Sequence, residues 1–327
     1  MRVAVLGAGA IGGWLAGALA GAGVPTSVVA RGASLDAIRR QGLRLVRDGR
    51  EHSYAVTAGS ATELGPHDLV VVATKAQDVA RALPDLLPLL HGDTAVVSAL
   101  NGVPWWFTQD FPGPLHGAAL ESVDPGGVVA RAIGPARAVG CVVHASTARI
   151  APGCIRINKL DKLIFGEPRG PVSPRVRWLA ATFANSGVET VASENIRLDT
   201  WAKLWGNMNM NPISALTRAT TGRMLNDPDI HALCLRMMEE MAAAGARIGL
   251  PFGMSATDRM AITRKLGDFR TSMLNDLESG AALEYAPQLG AVVEIARLAG
   301  TPAPFCAAVL GLVRQLSNSL AAQPSKG

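Results

Sequence analysis

The chain has 327 residues, of which 49% are hydrophobic and 17% charged. This length predicts about two domains. Its net charge of +5 raises the question of nucleic-acid or membrane surfaces. Aromatic residues make up only 5% of the chain, and Lys and Arg never form a run of five or more. We therefore expect neither nucleic acid nor membrane among its partners.

The stretch between Arg2 and Arg31 contains no charged residue, and its first part, residues 3–6, is a short apolar run that ends at Gly7. A membrane span or a secretory signal would also lack charges. Seven glycines and Pro25 interrupt this stretch, however. We therefore interpret residues 3–6 as a buried parallel strand of a soluble protein.

A glycine-rich turn follows this strand and opens a helix predicted over residues 11–22, and a second strand is predicted at 27–30. The turn reads Gly7-Ala8-Gly9-Ala10-Ile11-Gly12. Strand, glycine turn and helix in this order form the GxGxxG fingerprint of a dinucleotide-binding βαβ unit, whose helix N-terminus receives a pyrophosphate. We predict that these six residues bind the cofactor. The alternative is a glycine-rich packing turn without a ligand.

The end of the second strand indicates which dinucleotide binds. NAD enzymes usually carry Asp or Glu there to bond the ribose 2′-OH. Here the strand ends at Arg31, and no carboxylate occurs before Asp36. The guanidinium of Arg31 suits a 2′-phosphate, which favours NADP (NADPH) over NAD. The alternative is that Arg31 is a solvated strand end.

The next part of the chain alternates between strand-like and helical patterns. Strands are predicted at residues 42–46, 54–57, 68–74 and 94–98, and a helix over residues 77–90, punctuated by Pro84 and Pro88. This alternation is typical of a doubly wound parallel sheet. Short β runs are then predicted at residues 138–143, 154–157 and 162–165, followed by a helix over 174–186 and a strand at 188–191.

Beyond residue 193 the periodicity is helical almost to the end of the chain. Pro228 fits the first turn of a helix capped by Asn226 or Asp227. The sequence thus predicts an α/β, Rossmann-type NADP-binding domain over residues 1–193. It predicts an all-α substrate and catalytic domain over residues 194–327, whose apolar faces permit a homodimer.

Two polar residues follow successive strands of the predicted sheet. Lys75 comes after the strand at 68–74, and Asn101 after the strand at 94–98. Ligands of parallel sheets bind at the carboxyl ends of the strands, so we expect both side chains to face the cofactor. The alternative for each residue is an ordinary turn position.

A third candidate segment lies in the helical half. At about 100° per residue, Lys203, Asn207 and Asn211 fall within roughly 80° of one helix face. Lys203 is the only charged residue between Asp199 and Arg218. A solvated helix face normally carries several charges of both signs, so this lone lysine between two amides indicates a functional site. The opposite side of the helix carries large apolar residues, namely Trp201, Leu204, Trp205 and Met208.

The cysteines and histidines show no metal-binding pattern. None of the four cysteines lies within four residues of another, and no HExxH motif occurs among the six histidines. We therefore expect no metal, buried free thiols and a reducing, cytoplasmic location.

A fourth segment contains Ser272 and Glu284. From their spacing alone, we would interpret both as structural residues. The four segments together, in this order, resemble the ketopantoate reductase (2-dehydropantoate 2-reductase) family over essentially the whole chain. The resemblance implies a Rossmann domain, a helical domain and an active site in the cleft between them. It also implies that the glycine turn, Arg31 and Lys75 contact NADPH, and that Asn101 lies where nicotinamide and substrate meet.

The same resemblance implies roles for the remaining candidates. Lys203 matches the catalytic lysine, which would donate the proton to the keto group. Glu284 matches a glutamate of the active-site cleft. The substrate-binding residues that it implies are Asn207, Asn211 and Ser272.

Three positions depart from the family pattern. Phe269 stands where an asparagine commonly precedes the substrate serine, Thr221 replaces another asparagine, and Leu289 replaces a third. These changes predict an altered pocket for the acyl part of the substrate. NADPH-dependent reduction of ketopantoate remains the leading hypothesis. The alternatives are a related NADP-dependent oxidoreductase for another small carbonyl or hydroxy compound, and a non-enzymatic dinucleotide sensor.

Overall fold

The computed structural model describes residues 1–322, which form two compact units. The first unit comprises residues 1–100 and 127–199, and the second comprises residues 101–126 and 200–322.

The first unit is built on a ten-stranded mixed sheet. Its strands are β1 (Val3–Leu6), β2 (Thr26–Val29), β3 (Leu43–Arg47), β4 (Arg50–Tyr54), β5 (Thr57–Gly59), β6 (Leu69–Val72), β7 (Ala95–Ser98), β8 (Ala138–Ala151), β9 (Cys154–Gly166) and β10 (Glu189–Ser193). Its helices are α1 (Ala10–Gly21), α2 (Gly32–Gln41), α3 (Ala61–Leu64), α4 (Leu83–Leu86), α5 (Val128–Ile133) and α6 (Pro174–Ala184).

The strand order is β4-β3-β9-β8-β7-β6-β1-β2-β5, and β10 pairs with β9. Neighbouring strands from β8 to β5 run parallel. Every residue of β1, β6 and β7 is buried, which explains why these strands are apolar except for Ser98 at the end of β7. The predicted α/β, Rossmann-type fold is thereby confirmed.

The predicted strands at residues 154–157 and 162–165 are in fact the two ends of the single strand β9. The first end pairs with β3 and the second with β10, while β8 runs antiparallel along the whole length. Three register shifts interrupt the β8–β9 ladder. Such irregularities disturb the alternation of apolar residues, which is why the pattern suggested two short strands.

Two other local predictions were wrong. The helix expected over residues 77–90 consists only of short pieces, among them α4 and the 3₁₀ turns Ala76–Asp78 and Leu87–Leu89. Pro84 and Pro88 lack an amide hydrogen and occupy the first turns of such pieces rather than the interior of one helix. The strand expected at 54–57 falls across the gap between β4 and β5.

The second unit is helical. Its helices are α7 (Ile196–Thr217), whose first turn groups with the first unit, α8 (Thr221–Asn226), α9 (Pro228–Arg247), α10 (Ala256–Lys265), α11 (Ser272–Glu278), α12 (Ala291–Leu298) and α13 (Pro304–Ala321). Asp227 caps α9 by accepting hydrogen bonds from the amides of Asp229 and Ile230. Of the two predicted caps, the structure therefore selects Asp227.

Residues 101–126 follow β7 in the chain but pack with the helical unit. The amide of Val103 donates to the carbonyl of Pro287 at 2.8 Å. The Glu294 carboxylate accepts hydrogen bonds from the amides of Glu121 and Ser122 and from the Ser122 hydroxyl. These contacts join residues far apart in sequence and group residues 101–126 with the helical unit. The boundary predicted at residue 193 would instead assign this segment to the first domain.

Within residues 1–322, no helix is long and apolar enough to cross a membrane. In the same part of the chain, no three His, Cys, Asp or Glu side chains are grouped so that they could hold a metal ion. All four cysteines are buried and unbonded to one another, as predicted for free thiols.

We expect His67 to make the stability of the first unit sensitive to pH. Its buried ring bonds to the carbonyl of Gly65 and the hydroxyl of Ser27, and burial lowers the pKa of this imidazole. Its contribution is therefore fully present above the ordinary pKa of histidine and is lost as the pH falls through the lowered value. We expect the melting temperature to fall between pH 7 and pH 5, and to fall less in a His67→Gln variant. Equal losses in both proteins would contradict this assignment.

Candidate active site

The first unit contains a cleft of about 380 Å³ beside the glycine turn. Its walls include Gly7 and Gly9 of the turn, Arg31 after β2, Thr74 after β6 and Asp85 on α4. The structure therefore brings the predicted turn and Arg31 to one cleft. Ala10, Ile11 and Gly12 form the first turn of α1 behind it.

The glycine turn requires residues without side chains. Gly7 has a φ of 109°, and a Cβ there would lie 2.8 Å from the carbonyl oxygen of Ala73. A Cβ on Gly12 would lie 2.0 Å from the carbonyl oxygen of Gly7. Gly9, by contrast, has nothing within 4 Å of such an atom. The N-terminus of α1 is thus held close to the sheet and leaves room for an anionic group.

Three polar atoms in the segment that follows β6 lack partners. The hydroxyl of Thr74 and both amide atoms of Gln77 are buried without a hydrogen bond among the described residues. Buried polar groups are normally paired, so these atoms fit a bound polar ligand such as a dinucleotide. Lys75 lies between them, half-buried, at the start of the 3₁₀ turn. Sequence reasoning passed over Gln77, although it lies only two residues after Lys75.

Four of the charged residues that line the cleft form two ion pairs. Arg31 forms an ion pair with Asp85, and Arg81 donates to Asp78 at 2.9 Å. The Arg31 side chain is 75% exposed, so its pairing with Asp85 is weak and can be exchanged for another anion. The prediction from sequence could not include Asp85, which is more than fifty residues from Arg31 in the chain.

The second unit brings Lys203 and Asn101 together. The ammonium of Lys203 donates to the amide oxygen of Asn101 at 2.8 Å. Gly102 has a φ of 82°, and a Cβ there would lie 2.4 Å from the carbonyl oxygen of Pro287. Close packing of this turn against Pro287 therefore holds Asn101 in position opposite the lysine.

About two turns beyond Lys203 along the same face of α7, Asn211 is buried. Its amide donates to the side-chain oxygen of Gln288 at 2.8 Å, and both side chains are buried. Gln288 belongs to a π-helical turn, Ala286–Gly290, a rare geometry that often occurs at functional sites. Sequence reasoning missed Gln288, whose only signal was a lone amide within an apolar run.

The other predicted residues of this unit lie in different environments. Glu284 is buried just before the π-helical turn, and Asn207 is half-buried on α7. Ser272 is exposed at the first position of α11, and its hydroxyl makes no hydrogen bond within residues 1–322. The contacts thus join Lys203 to Asn101 and Asn211 to Gln288, whereas Ser272 contacts none of these side chains through a hydrogen bond.

Two of the residues that depart from the family pattern, Thr221 and Phe269, contact each other. The hydroxyl of Thr221, which is fully buried, accepts from the amide of Phe269 at 3.0 Å, and the amide of Thr221 donates to the carbonyl of Phe269. The Phe269 side chain is 39% exposed, while Leu289 is buried. Thr221 therefore uses its polar atoms to hold the backbone ahead of α11.

The apolar side of α7 anchors the helix. Trp201, Leu204, Trp205 and Met208 are all buried, as the helical periodicity predicted. The indole of Trp205 donates to the carbonyl of Met238 at 2.8 Å and stacks on the Phe252 ring. This packing limits rotation of the helix and so fixes the direction of its polar face.

A glycine-turn dinucleotide cleft on a parallel sheet and a lysine among amides on a separate helical unit define a nicotinamide-dinucleotide-dependent oxidoreductase. Comparison with known families narrows this class. Residues 3–105 match the family model described as "Ketopantoate reductase PanE/ApbA", and residues 195–317 match its C-terminal counterpart.

Individual proteins agree with these matches. The chain is 44% identical to a 2-dehydropantoate 2-reductase from Mesorhizobium japonicum, over 97% of this chain and 98% of the relative. A Ralstonia solanacearum MolK2 structure, itself provisionally assigned as a ketopantoate reductase, is 46% identical with a TM-score of 0.92 and covers 98% of this chain and 99% of its own. A 2-dehydropantoate 2-reductase from Methylococcus capsulatus is 26% identical with a TM-score of 0.85 over the full length of both chains. The chain belongs to the ketopantoate reductase family.

Proposed function

We propose that this protein reduces a 2-keto acid with NADPH, with 2-dehydropantoate, which becomes pantoate, as the leading substrate. The observation that carries the proposal is the hydrogen bond from the Lys203 ammonium to Asn101 on a helix face that also presents Asn207 and Asn211. Family membership and the curated relatives named 2-dehydropantoate 2-reductase support the choice of substrate.

Lys203 would act on the carbonyl oxygen of the substrate. A bound nicotinamide supplies the hydride for the keto carbon. As negative charge develops on the oxygen, the Lys203 ammonium stabilises the charge and donates a proton. Asn101 accepts a hydrogen bond from this ammonium and so directs it. Asn207 and Asn211 would orient the substrate, Ser272 would bind it from α11, and Glu284 would hold a substrate hydroxyl or the lysine itself.

The first unit would bind the dinucleotide. The Gly7–Gly12 turn and the N-terminus of α1 suit the pyrophosphate, and the unpaired polar atoms of Thr74 and Gln77 offer further hydrogen bonds. Lys75 and Arg31 would contact the phosphates of NADPH. Asn101, three residues after the end of β7, would contact both nicotinamide and substrate.

Arg31 should determine the preference for NADPH over NADH. Replacing Arg31 with alanine removes the cation proposed for the 2′-phosphate, so we expect the ratio of kcat/KM for NADPH to that for NADH to fall about 10- to 100-fold. Arg81→Ala, which removes another arginine of the same cleft, is the matched control. An unchanged ratio in Arg31→Ala would remove Arg31 from this role.

A second candidate function is a related NADP-dependent reaction on another small carbonyl or hydroxy compound. Thr221 and Phe269 favour it, because the Thr221 hydroxyl bonds to the Phe269 backbone and Phe269 provides no amide side chain. The pocket for the acyl part would then accept a different substituent from that of 2-dehydropantoate.

One assay separates these functions. NADPH oxidation is measured against a panel of 2-keto acids that includes 2-dehydropantoate and acids with other substituents. Turnover of 2-dehydropantoate supports the leading proposal, and turnover of other acids alone supports the second. Binding of NADPH without any turnover would contradict both and indicate a dinucleotide sensor. The cytoplasmic location and the homodimer expected from sequence remain part of the proposal.

A further inference from the structure

An arginine that the sequence patterns did not single out lies against the helix that bears Lys203. Arg259 is on α10, and its side chain is partly buried. One terminal nitrogen donates to the Thr263 hydroxyl at 3.0 Å, one turn along the same helix. The other terminal nitrogen lies so close to α7 that a Cβ on Gly206 would be 2.9 Å from it.

The Arg259 guanidinium has no carboxylate partner within residues 1–322. Burial also lowers the pKa of Arg259, although the group stays charged at any working pH. Charges withdrawn from water are normally paired, because an unpaired one is costly to desolvate. A guanidinium in this state therefore fits an anion that is supplied from outside the chain.

The position of Arg259 relates it to the polar face of α7. Gly206 directly precedes Asn207 and lies three residues after Lys203, which is about one helical turn. At about 100° per residue, Gly206 is roughly 60° around the helix axis from Lys203. The guanidinium thus borders the side of α7 from which the ammonium and the Asn207 amide project.

Two positions of the same helical unit lack the amide side chains of the family pattern. Phe269 and Thr221 stand where the family pattern has asparagines, and Thr221 bonds to the Phe269 backbone. Neither position therefore offers an amide side chain for a substrate. An arginine can take the place of such amides, because its planar fork binds a carboxylate through two parallel hydrogen bonds.

We propose that Arg259 binds the carboxylate of the 2-keto acid substrate. The inference rests on the proposed 2-keto acid reduction, because a substrate without a carboxylate would not need this residue. Arg259 would act as a substrate-binding residue that fixes the acid end of the molecule, while Lys203 acts on the keto oxygen.

The test compares each 2-keto acid with its methyl ester, which keeps the keto group but lacks the negative charge. In Arg259→Met we expect KM for the acid to rise about 10- to 100-fold, as the loss of charge-assisted hydrogen bonds predicts. KM for the ester should change less than about twofold. Lys265→Met removes an exposed cation from the same helix and should leave both values unchanged.

A second variant tests the position of the guanidinium while keeping its charge. Gly206→Ala places a methyl group against the flexible end of Arg259, which must move away. Alanine in a helix interior is intrinsically better than glycine, so the variant should fold. We expect KM for the acid to rise several-fold and KM for the ester to stay unchanged.

The outcomes separate this inference from the proposed function. If the wild-type protein turns over no 2-keto acid with NADPH, the proposed function fails and the role of Arg259 fails with it. If the wild-type protein is active but Arg259→Met impairs acid and ester equally, Arg259 is only structural and this inference alone is overturned. A selective loss on the acid in both variants supports it.

Discussion

Replacing Lys203 with alanine is expected to lower kcat about 10²- to 10⁴-fold, the range by which a positioned general acid accelerates reactions. The variant loses both the proton donor and the positive charge that stabilises the developing alkoxide. NADPH affinity should stay close to that of the wild type, because the glycine turn, Arg31 and Gln77 belong to the first unit.

Lys203→Arg is the matched control for this experiment. Arginine keeps a positive charge and hydrogen-bond donors near Asn101, but its pKa is too high for proton donation at neutral pH. We expect this variant to retain substrate affinity better than the alanine variant and to stay deficient in kcat. Steady-state kinetics and NADPH titration measure the two quantities. Nearly wild-type turnover in Lys203→Ala would exclude Lys203 as the proton donor.

The second large effect is expected at the buried pair of Asn211 and Gln288. Asn211→Leu leaves the Gln288 amide oxygen without its donor in a buried position, which should cost about 1–3 kcal/mol of the free energy of unfolding. Gln288→Leu should cost a similar amount for the same reason. Both variants should also lower kcat/KM, because Gln288 orients the amide proposed to bind substrate.

A double-mutant cycle checks whether the pair itself is responsible. The doubly substituted protein leaves no unpaired amide, so its loss of stability should be smaller than the sum of the single losses by about 0.5–3 kcal/mol. Denaturant unfolding measures all four proteins. Asn207→Leu, on the same face but only half-buried, is the control and should cost less. Additive single losses would show that the hydrogen bond does not couple the two residues.

Local sequence patterns were sufficient for the elements whose constraints are local. The strand, glycine turn and helix at the start of the chain follow from an apolar run and from positions where a Cβ would meet backbone. The face of α7 follows from helical periodicity, which places Lys203 and the asparagines opposite a buried apolar side. The start of α9 follows from Pro228, whereas the choice of Asp227 over Asn226 as its cap came from the structure.

Other features of the site depend on contacts between distant parts of the chain. Gln288 becomes significant only because the fold places it opposite Asn211, seventy-seven residues away in sequence. Asp85 becomes relevant to Arg31 in the same way, through packing of α4 beside the end of β2. Residues 101–126 also join the helical unit through contacts with Pro287 and Glu294 that no local pattern encodes.

The net charge of +5 does not by itself locate a binding site. Charge, glycine spacing and periodicity predicted by themselves a dinucleotide-binding sheet, a helical domain and the three candidate residues Arg31, Lys75 and Lys203, because each prediction depends on neighbours within a turn or a strand. Only the tertiary structure decided which charges are compensated. Arg31 has Asp85 and Arg81 has Asp78, whereas the Arg259 guanidinium has no carboxylate within residues 1–322. Pairing and burial depend on side chains that the fold brings together from distant parts of the chain. A local sequence pattern therefore cannot show which charged side chains remain available to a ligand.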